Sequence, residues 1–337
     1  VDFFHVIKNL SWAYKFLQNC TANKVEHISR SLSNLLNNAS VSYDEIFSDV
    51  NVSNYIKNEE ALYLYQNVNE FLEAKETNII REKNGVQIRI LSKKDILEME
   101  PNLAPVFYNG QLFVGSRHTT NPQEISNKIF ETFINNGGIF HKKSVKNIFP
   151  DDEGVKLNYE ESTHKFDKVV VCAGAWSKVL TKTYGDNFPL DTERGYHVHF
   201  KNHGDLLSRP VVWSDRGFGI TPMEQGLRVV GTVEFGGLNN PLSKSRIKNL
   251  ILNAKDMIEG IPKDEDHEDE WLGFRPTLPD FLPVIGPSKN YENVFYSFGH
   301  HHLGWTLGAI SGKIISKMVA NEKTNLHLDP YSSLRFS

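Results

Sequence analysis

The stretch Lys168-Val169-Val170-Val171-Cys172-Ala173-Gly174-Ala175-Trp176-Ser177 decides the fold. Its valine run lacks the polar–apolar alternation of a half-solvated strand and ends abruptly in three small residues. That pattern predicts a parallel strand buried on both faces and feeding a short helix. Small residues at the end of a strand let backbone approach a ligand closely, and open α/β sheets bind ligands at that edge. The same residues also read as plain helix–strand packing.

Upstream, Asn121-Pro122-Gln123-Glu124 marks a helix start, with Asn as the cap, Pro at the first helical position and Glu at the third. Its apolar stripe is Ile125, Ile129, Phe130 and Phe133, and Gly137-Gly138 ends it. Short strands are expected at Ile139-Phe140, 145–149 and 155–159, the last two joined by the turn Asp151-Asp152-Glu153-Gly154. Nearer the start, Val25, Ile28, Leu32, Leu35 and Leu36 share one helix face, and Ser42-Tyr43-Asp44-Glu45 reads as a capping box opening another helix. A strand at 61–65 and a helix from Val68 to before Gly85 follow. Val86, Ile88 and Ile90 then alternate with polar residues as a half-buried strand does.

Downstream, 196–234 is strand-like, with turns at Asp215-Arg216-Gly217 and Glu224-Gln225-Gly226. A helix capped by Ser243 carries Ile247, Leu250, Ile251 and Ala254, and a last helix over 304–319 carries Leu307, Ile310, Ile314 and Met318. The acidic run 264–270 reads as a solvated loop. Helices and strands thus interleave, with an antiparallel portion inside, as in a two-domain enzyme of nucleotide-binding type.

Composition bounds the function. The 337 residues suffice for roughly two domains at about 150 each. With 21 Phe, 12 Tyr and 5 Trp, apolar area is ample, so disorder is excluded as the main theme. A net charge of -4 gives no basic field for nucleic acid. No apolar run approaches the ~18 residues of a membrane span. Two cysteines, Cys20 and Cys172, make no disulfide framework and point to a reducing compartment. Asn38 and Asn51 head glycosylation triplets, but with no secretory signal they predict no glycan. The chain opens at Val1 and runs straight into Phe3-Phe4-His5-Val6-Ile7, which reads as the middle of a protein.

Two further segments carry candidate chemistry. Gly273-Phe274-Arg275-Pro276-Thr277-Leu278-Pro279-Asp280, with Pro283-Val284-Ile285-Gly286, holds an arginine on a rigid, proline-fixed path, where a guanidinium can grip a carboxylate in two-pronged fashion. An ion pair with a neighbouring acid is the plainer alternative. Phe298-Gly299-His300-His301-His302-Leu303-Gly304-Trp305-Thr306-Leu307-Gly308 places a glycine-rich turn at a helix N-terminus, whose unpaired N–H groups stabilise negative charge; an ordinary helix start would look the same. Three adjacent histidines in one loop seldom converge on a metal, and no Cys or carboxylate spacing supports one, so no metal is expected. His197 and His199 share a strand face, which suits a structural role. Neither a nucleophile elbow nor a phosphate-binding P-loop occurs.

In this order the segments resemble the D-amino acid oxidase-like superfamily of FAD-dependent amine oxidoreductases, and most nearly its D-amino-acid dehydrogenase branch. The resemblance runs from about Trp12 to Arg335. It rests on the helical opening, Glu100-Pro101-Asn102-Leu103, the Val169 strand, Arg194-Gly195-Tyr196, Gly231-Thr232-Val233-Glu234, the Arg275 segment and the Gly299-His300 turn. It implies an FAD-binding Rossmann-like α/β domain, here lacking its first βαβ unit, interleaved with an α+β substrate domain built on an antiparallel sheet. The implied division is 1–116 substrate and helical region, 117–185 FAD-binding segment, 186–285 substrate-binding sheet and 286–330 C-terminal FAD-binding segment. The family opens with Gly-x-Gly-x-x-Gly, which this chain lacks. The expectation is that the N-terminal segment is missing or supplied by another polypeptide; failing both, the chain would bind flavin poorly.

The resemblance further implies oxidative deamination, in which the α-hydrogen of a small (D-)amino acid leaves as hydride to flavin N5, giving a 2-oxo acid and ammonia. Arg275 matches the arginine that clamps the substrate carboxylate, and Tyr196 lies on the strand expected to line the pocket, though it equally suits a core aromatic. Leu303, Gly304, Trp305 and Thr306 match the turn that presents N–H groups to the flavin pyrimidine edge. Val145 matches the residue whose backbone meets adenine, Ala173, Gly174 and Trp176 should flank the cofactor, and Gly299 and His300 lie near the ring. Glycine, sarcosine or hydroxyproline are alternative substrates, and a partner-dependent, non-catalytic subunit of a heteromeric amine dehydrogenase is an alternative role. A quinone or other electron acceptor and a homo- or hetero-oligomer are consistent with the branch. Location is expected to be cytoplasmic, with peripheral inner-membrane attachment as the alternative.

Overall fold

A computed structural model of the protein describes residues 9–160, 162–264 and 267–336. The Phe3 to Ile7 opening, and Glu265 and Asp266 of the acidic run, lie outside the described residues. The chain runs through α1 (Leu10–Gln18), α2 (Ala22–Asp49), β1 (Ile56–Lys57), β2 (Leu62–Tyr65), α3 (Val68–Lys83), β3 (Ile88–Ser92), α4 (Lys93–Met99), β4 (Asn109–Phe113) and β5 (His118–Thr119). Next come α5 (Pro122–Asn135), β6 (Asn147–Asp151), β7 (Gly154–Asn158), β8 (Thr163–Phe166), β9 (Val169–Val171) and α6 (Ser177–Thr181). Strands β10 (Asp191–Lys201), β11 (Val211–Trp213), β12 (Phe218–Met223) and β13 (Gly226–Phe235) precede α7 (Lys244–Met257). Then follow β14 (Glu268–Thr277), β15 (Val284–Pro287), β16 (Val294–Phe298) and α8 (Gly304–Val319).

The architecture is mixed α/β, centred on an eight-stranded sheet in the order β14-β10-β13-β12-β11-β2-β4-β3. It is antiparallel except at the seam between β11 and β2. Alternation along β10 sends Tyr196, Val198 and Phe200 to one face, where they pack with Trp213, Val229 and the Ile247, Leu250 and Ala254 stripe of α7. The opposite face carries Glu193, His197, His199, Arg228, Val230 and Arg275. A second sheet, β15-β16-β9, has β9 parallel to β16. Helices α2 and α8 close over it through Leu35, Ala39, Leu307, Ile310 and Ile314, against Ile285 and Phe295. The small sheet β6-β7-β8 abuts it through Ile148 and Val155. No helix among the described residues is long and apolar enough to cross a membrane.

Several local expectations form as read. Asn121 caps α5 by accepting the Glu124 N–H at 3.0 Å, and Pro122 opens the helix. Others differ, each for a physical reason. No helix starts at Ser42: α2 runs unbroken through it, because nothing from 22 to 49 is Gly or Pro and Ser42 is buried in the helix interior. In β3 the core takes Leu91, while Ile90 is 50 % exposed; alternation fixes the period and not the phase. Ile139 and Phe140 form no strand and lie exposed, Phe140 against the ring of Phe130. Strand β9 is parallel as expected but has a neighbour only on the β16 side among the described residues, so Val169 and Val170 are only part-buried. Ser243 stands at the N-cap of α7, yet its hydroxyl meets Ser245 at 3.0 Å instead of the helix backbone.

Candidate functional site

A cleft of about 760 Å³ opens between α2, the start of α8 and the open face of the large sheet. Tyr43 and Phe47 of α2, Thr221 and Met223 of β12, Arg228 and Val230 of β13, and His302, Trp305 and Thr306 of the α8 turn line it. The local sequence builds each wall. Gly299 turns the chain out of β16 with φ +83°, and a Cβ there would stand 2.5 Å from Leu278 Cδ1, so only glycine fits. His301 also takes a left-handed φ of 55° and stacks on Phe281 with ring centroids 4.2 Å apart. Helix α8 then starts at Gly304 with no side-chain cap and no acidic residue in its first turn, which leaves its positive end uncompensated. Tyr43 fastens the turn by donating its hydroxyl to the Trp305 carbonyl, and burial pushes that hydroxyl up to about 12.

His300 and His301 of the turn are neutral. Burial pushes both His300 and His301 down to about 4. His300 Nε2 lies 2.9 Å from Ser311 Oγ, which ties the turn to the second coil of α8. His302, beside them, lines the cleft.

Arg275 leaves β14 on the open face. Its Nη1 donates to the Thr232 carbonyl at 3.1 Å, and its guanidinium lies over Gly195, where a Cβ would stand 2.3 Å from Nη2. Burial lowers its pKa and Glu193 opposes that shift, so it stays a cation. It sits beside the cleft wall formed by His302 and is not itself among the lining residues.

Tyr196 does not join Arg275. It points to the other face, into the α7 core, and its hydroxyl donates to Glu234, which also pairs with Arg194 at 3.3 Å. Three positions separate Tyr196 from Glu193, and the two-residue period of a strand puts them on opposite faces. Leu303, Gly304, Trp305 and Thr306 come together at the start of α8, with Trp305 40 % exposed. Ala173 and Gly174 follow β9; Gly174 has φ +53°, and a Cβ there would meet nothing within 4 Å. Trp176 is half exposed, edge-on to Phe274. The side chain of Val145 packs among Ile148, Val155 and Val171, away from the cleft.

Sequence reasoning missed Tyr43, Arg228 and Glu193. Tyr43 was read as part of a cap. Arg228 and Glu193 sit in strands whose neighbours across the sheet are distant in sequence, so no local signal marks them.

Comparison with known proteins identifies the family and the fold. The family model for FAD dependent oxidoreductases, DAO, matches residues 22–318. The chain is 27 % identical over 336 residues to a D-amino-acid oxidase from Bradyrhizobium diazoefficiens, covering 98 % of this chain and 79 % of that protein. It is 25 % identical over 336 residues to a D-amino acid dehydrogenase from Neisseria gonorrhoeae, covering 97 % and 79 %. Its fold is similar to that of glycine oxidase from Geobacillus kaustophilus, with a TM-score of 0.79 at 21 % identity over 88 % of this chain and 80 % of that one.

Proposed function

We propose, since the chain belongs to the DAO family of FAD-dependent oxidoreductases, that it oxidises the Cα–N bond of a small amino acid, in the D configuration, to a 2-oxo acid and ammonia. The observation that carries this reading is Arg275, a cation on the open sheet face whose charge is felt by His301 and His302 in the turn that leads into the uncapped start of α8. One group suits a substrate carboxylate and the other the electron-accepting edge of a cofactor.

The residues present fit FAD. The first-turn amides of α8 have no side-chain cap, and a Cβ at Gly304 would come no nearer than 3.8 Å to its neighbours, so that backbone is open to a planar ligand edge. Gly174 leaves similar open space after β9. Leu303, Gly304, Trp305 and Thr306 would hold the pyrimidine edge, with Gly299 and His300 near the ring and Ala173, Gly174 and Trp176 flanking the cofactor. When bound, FAD supplies the two-electron acceptor for an α-hydrogen leaving as hydride, and water hydrolyses the imino acid released.

The chain's own part is binding and electrostatics. Arg275 holds the carboxylate and so fixes which bond of the α-carbon faces the acceptor. The dipole of α8 favours negative charge at its N-terminus during reduction. Neutral His300 and His301 add no competing cation there.

The test is an absorbance scan of the FAD-loaded protein before and after anaerobic addition of D-alanine. Bleaching of the flavin bands by D-alanine and not by L-alanine supports the reading. Bands unmoved by D-alanine, glycine and sarcosine alike would refute it.

A further inference from the structure

Glu193 stands directly opposite Arg275 across the β10–β14 pair, so both side chains leave the same sheet face. Its side chain is only 10 % exposed, tucked under the turn with Oε1 3.9 Å from His301 Nδ1. The groups that face it are Asp191 from its own strand, Arg275 and Thr277 from β14, and His301 with His302 beyond it from the turn. Thr277 hydrogen-bonds it; Arg275 attracts it without closing to a salt bridge, being held instead by the Thr232 carbonyl. His301 is neutral, so it does not neutralise the carboxylate. A buried carboxylate normally has a paired cation, because leaving water uncompensated is costly. Here a buried acid and a part-buried base leave the same sheet face from directly opposed positions on adjacent strands without closing an ion pair.

An α-amino acid carries the complementary arrangement, with an anion and a cation attached to one carbon. We propose that Glu193 binds the ammonium group of the substrate while Arg275 binds its carboxylate, a paired anchor that admits zwitterionic amino acids and disfavours plain carboxylic acids. This rests on the reading of Arg275 as the carboxylate anchor. Burial raises the Glu193 carboxyl above its ordinary range, which also makes it a ready acceptor for a proton from the bound ammonium. In that step an N–H bond breaks and an O–H bond forms, leaving the amine neutral with its lone pair free.

Two ligands of the same shape test it: 2-aminoisobutyrate, which has no α-hydrogen to lose, and pivalate, in which a methyl group replaces the ammonium. Binding to the FAD-loaded protein is measured by calorimetry. The wild type is expected to prefer 2-aminoisobutyrate by roughly 10-fold or more, the worth of one charge-assisted contact. Glu193→Gln is expected to abolish that preference while leaving pivalate affinity unchanged, and Arg275→Ala to weaken both ligands. In the wild type the affinity for 2-aminoisobutyrate, whose own carboxylate stays ionised, is expected to weaken as pH falls and Glu193 takes up a proton; this needs no variant to fold. A preference that survives Glu193→Gln, with a 2-aminoisobutyrate affinity that does not weaken as pH falls, overturns the ammonium anchor and leaves the carboxylate anchor standing. Pivalate affinity unaffected by Arg275→Ala overturns the carboxylate anchor, and the pair with it.

Discussion

Replacing Gly195 by alanine moves Arg275 without touching it. The added Cβ would stand 2.3 Å from Nη2, 2.5 Å from Cζ and 2.9 Å from Nη1 of the guanidinium. Gly195 is not at positive φ, so alanine costs the backbone nothing there. The guanidinium, at the end of a flexible side chain, must swing off the sheet and give up its bond to the Thr232 carbonyl. That bond from a charged donor is worth about 1 to 3 kcal/mol, so folding is expected to lose up to that much and the melt to fall by a few degrees. Losing an aligned, two-pronged grip on a carboxylate costs about 1.5–3 kcal/mol, which raises KM roughly 10- to 100-fold. Because the lost contact is made in ground and transition state alike, kcat should change far less. Steady-state kinetics with a D-amino acid, alongside a thermal melt, reads both. The Gly195→Ala/Arg275→Ala double variant should be no worse than Arg275→Ala alone, since the two act through one contact. A KM within twofold of wild type, in a folded variant whose melt shows that the Thr232 bond has been lost, would refute Arg275 as the anchor.

Other predictions concern the turn and the pH response. Gly299→Ala combines a left-handed φ with a clash against Leu278, and should cost about 1–3 kcal/mol in chemical denaturation; an unchanged midpoint would mean that the turn adapts freely. Gly304→Val fills the open backbone at the start of α8, and should weaken FAD retention in equilibrium dialysis more than it shifts KM. Normal flavin content in that variant would count against this turn as the flavin contact. His301 is buried and His300 half-buried, and both are held near 4, below the unfolded value of about 6.5. Between those values the unfolded chain binds more protons, so each histidine's contribution is full above about pH 6.5 and is lost toward pH 4, at up to about 1.4 kcal/mol per pH unit. Denaturation midpoints across that window should fall with pH, and His300→Asn should flatten the slope.

Elements governed by local rules were legible in the sequence. The Asn121 cap, the α8 stripe and the turn at Gly154 depend on a few adjacent residues, and they form where those residues stand. The order of motifs sufficed for the mixed α/β class. What was not legible depends on partners far away in the chain. The phase of β3 is decided by which side of the sheet α4 covers. At the site, Arg275 and the α8 turn stand out because proline and glycine punctuate them. Glu193 acquires meaning only when β14 is laid beside β10, and Tyr196 loses its expected place for the same reason.

The parallel seam of the large sheet bears on how the molecule assembles. Leu62 of β2 lies beside Val211 of β11, and the far edge of the same sheet is not complete until Thr277 has been made. Pairings of such separation are slow to form, because the loop must close before any contact rewards it. At about 5–20 residues per second, a ribosome needs roughly 10–40 s to pass from β2 to the end of β14. Until residue 213 has been made, Leu62 and Leu64, wholly buried in the finished sheet, lack the β11 neighbours they pair with. The nascent chain is therefore the form most in need of a chaperone, and its demand should peak before residue 277 emerges and decline once β14 docks on β10.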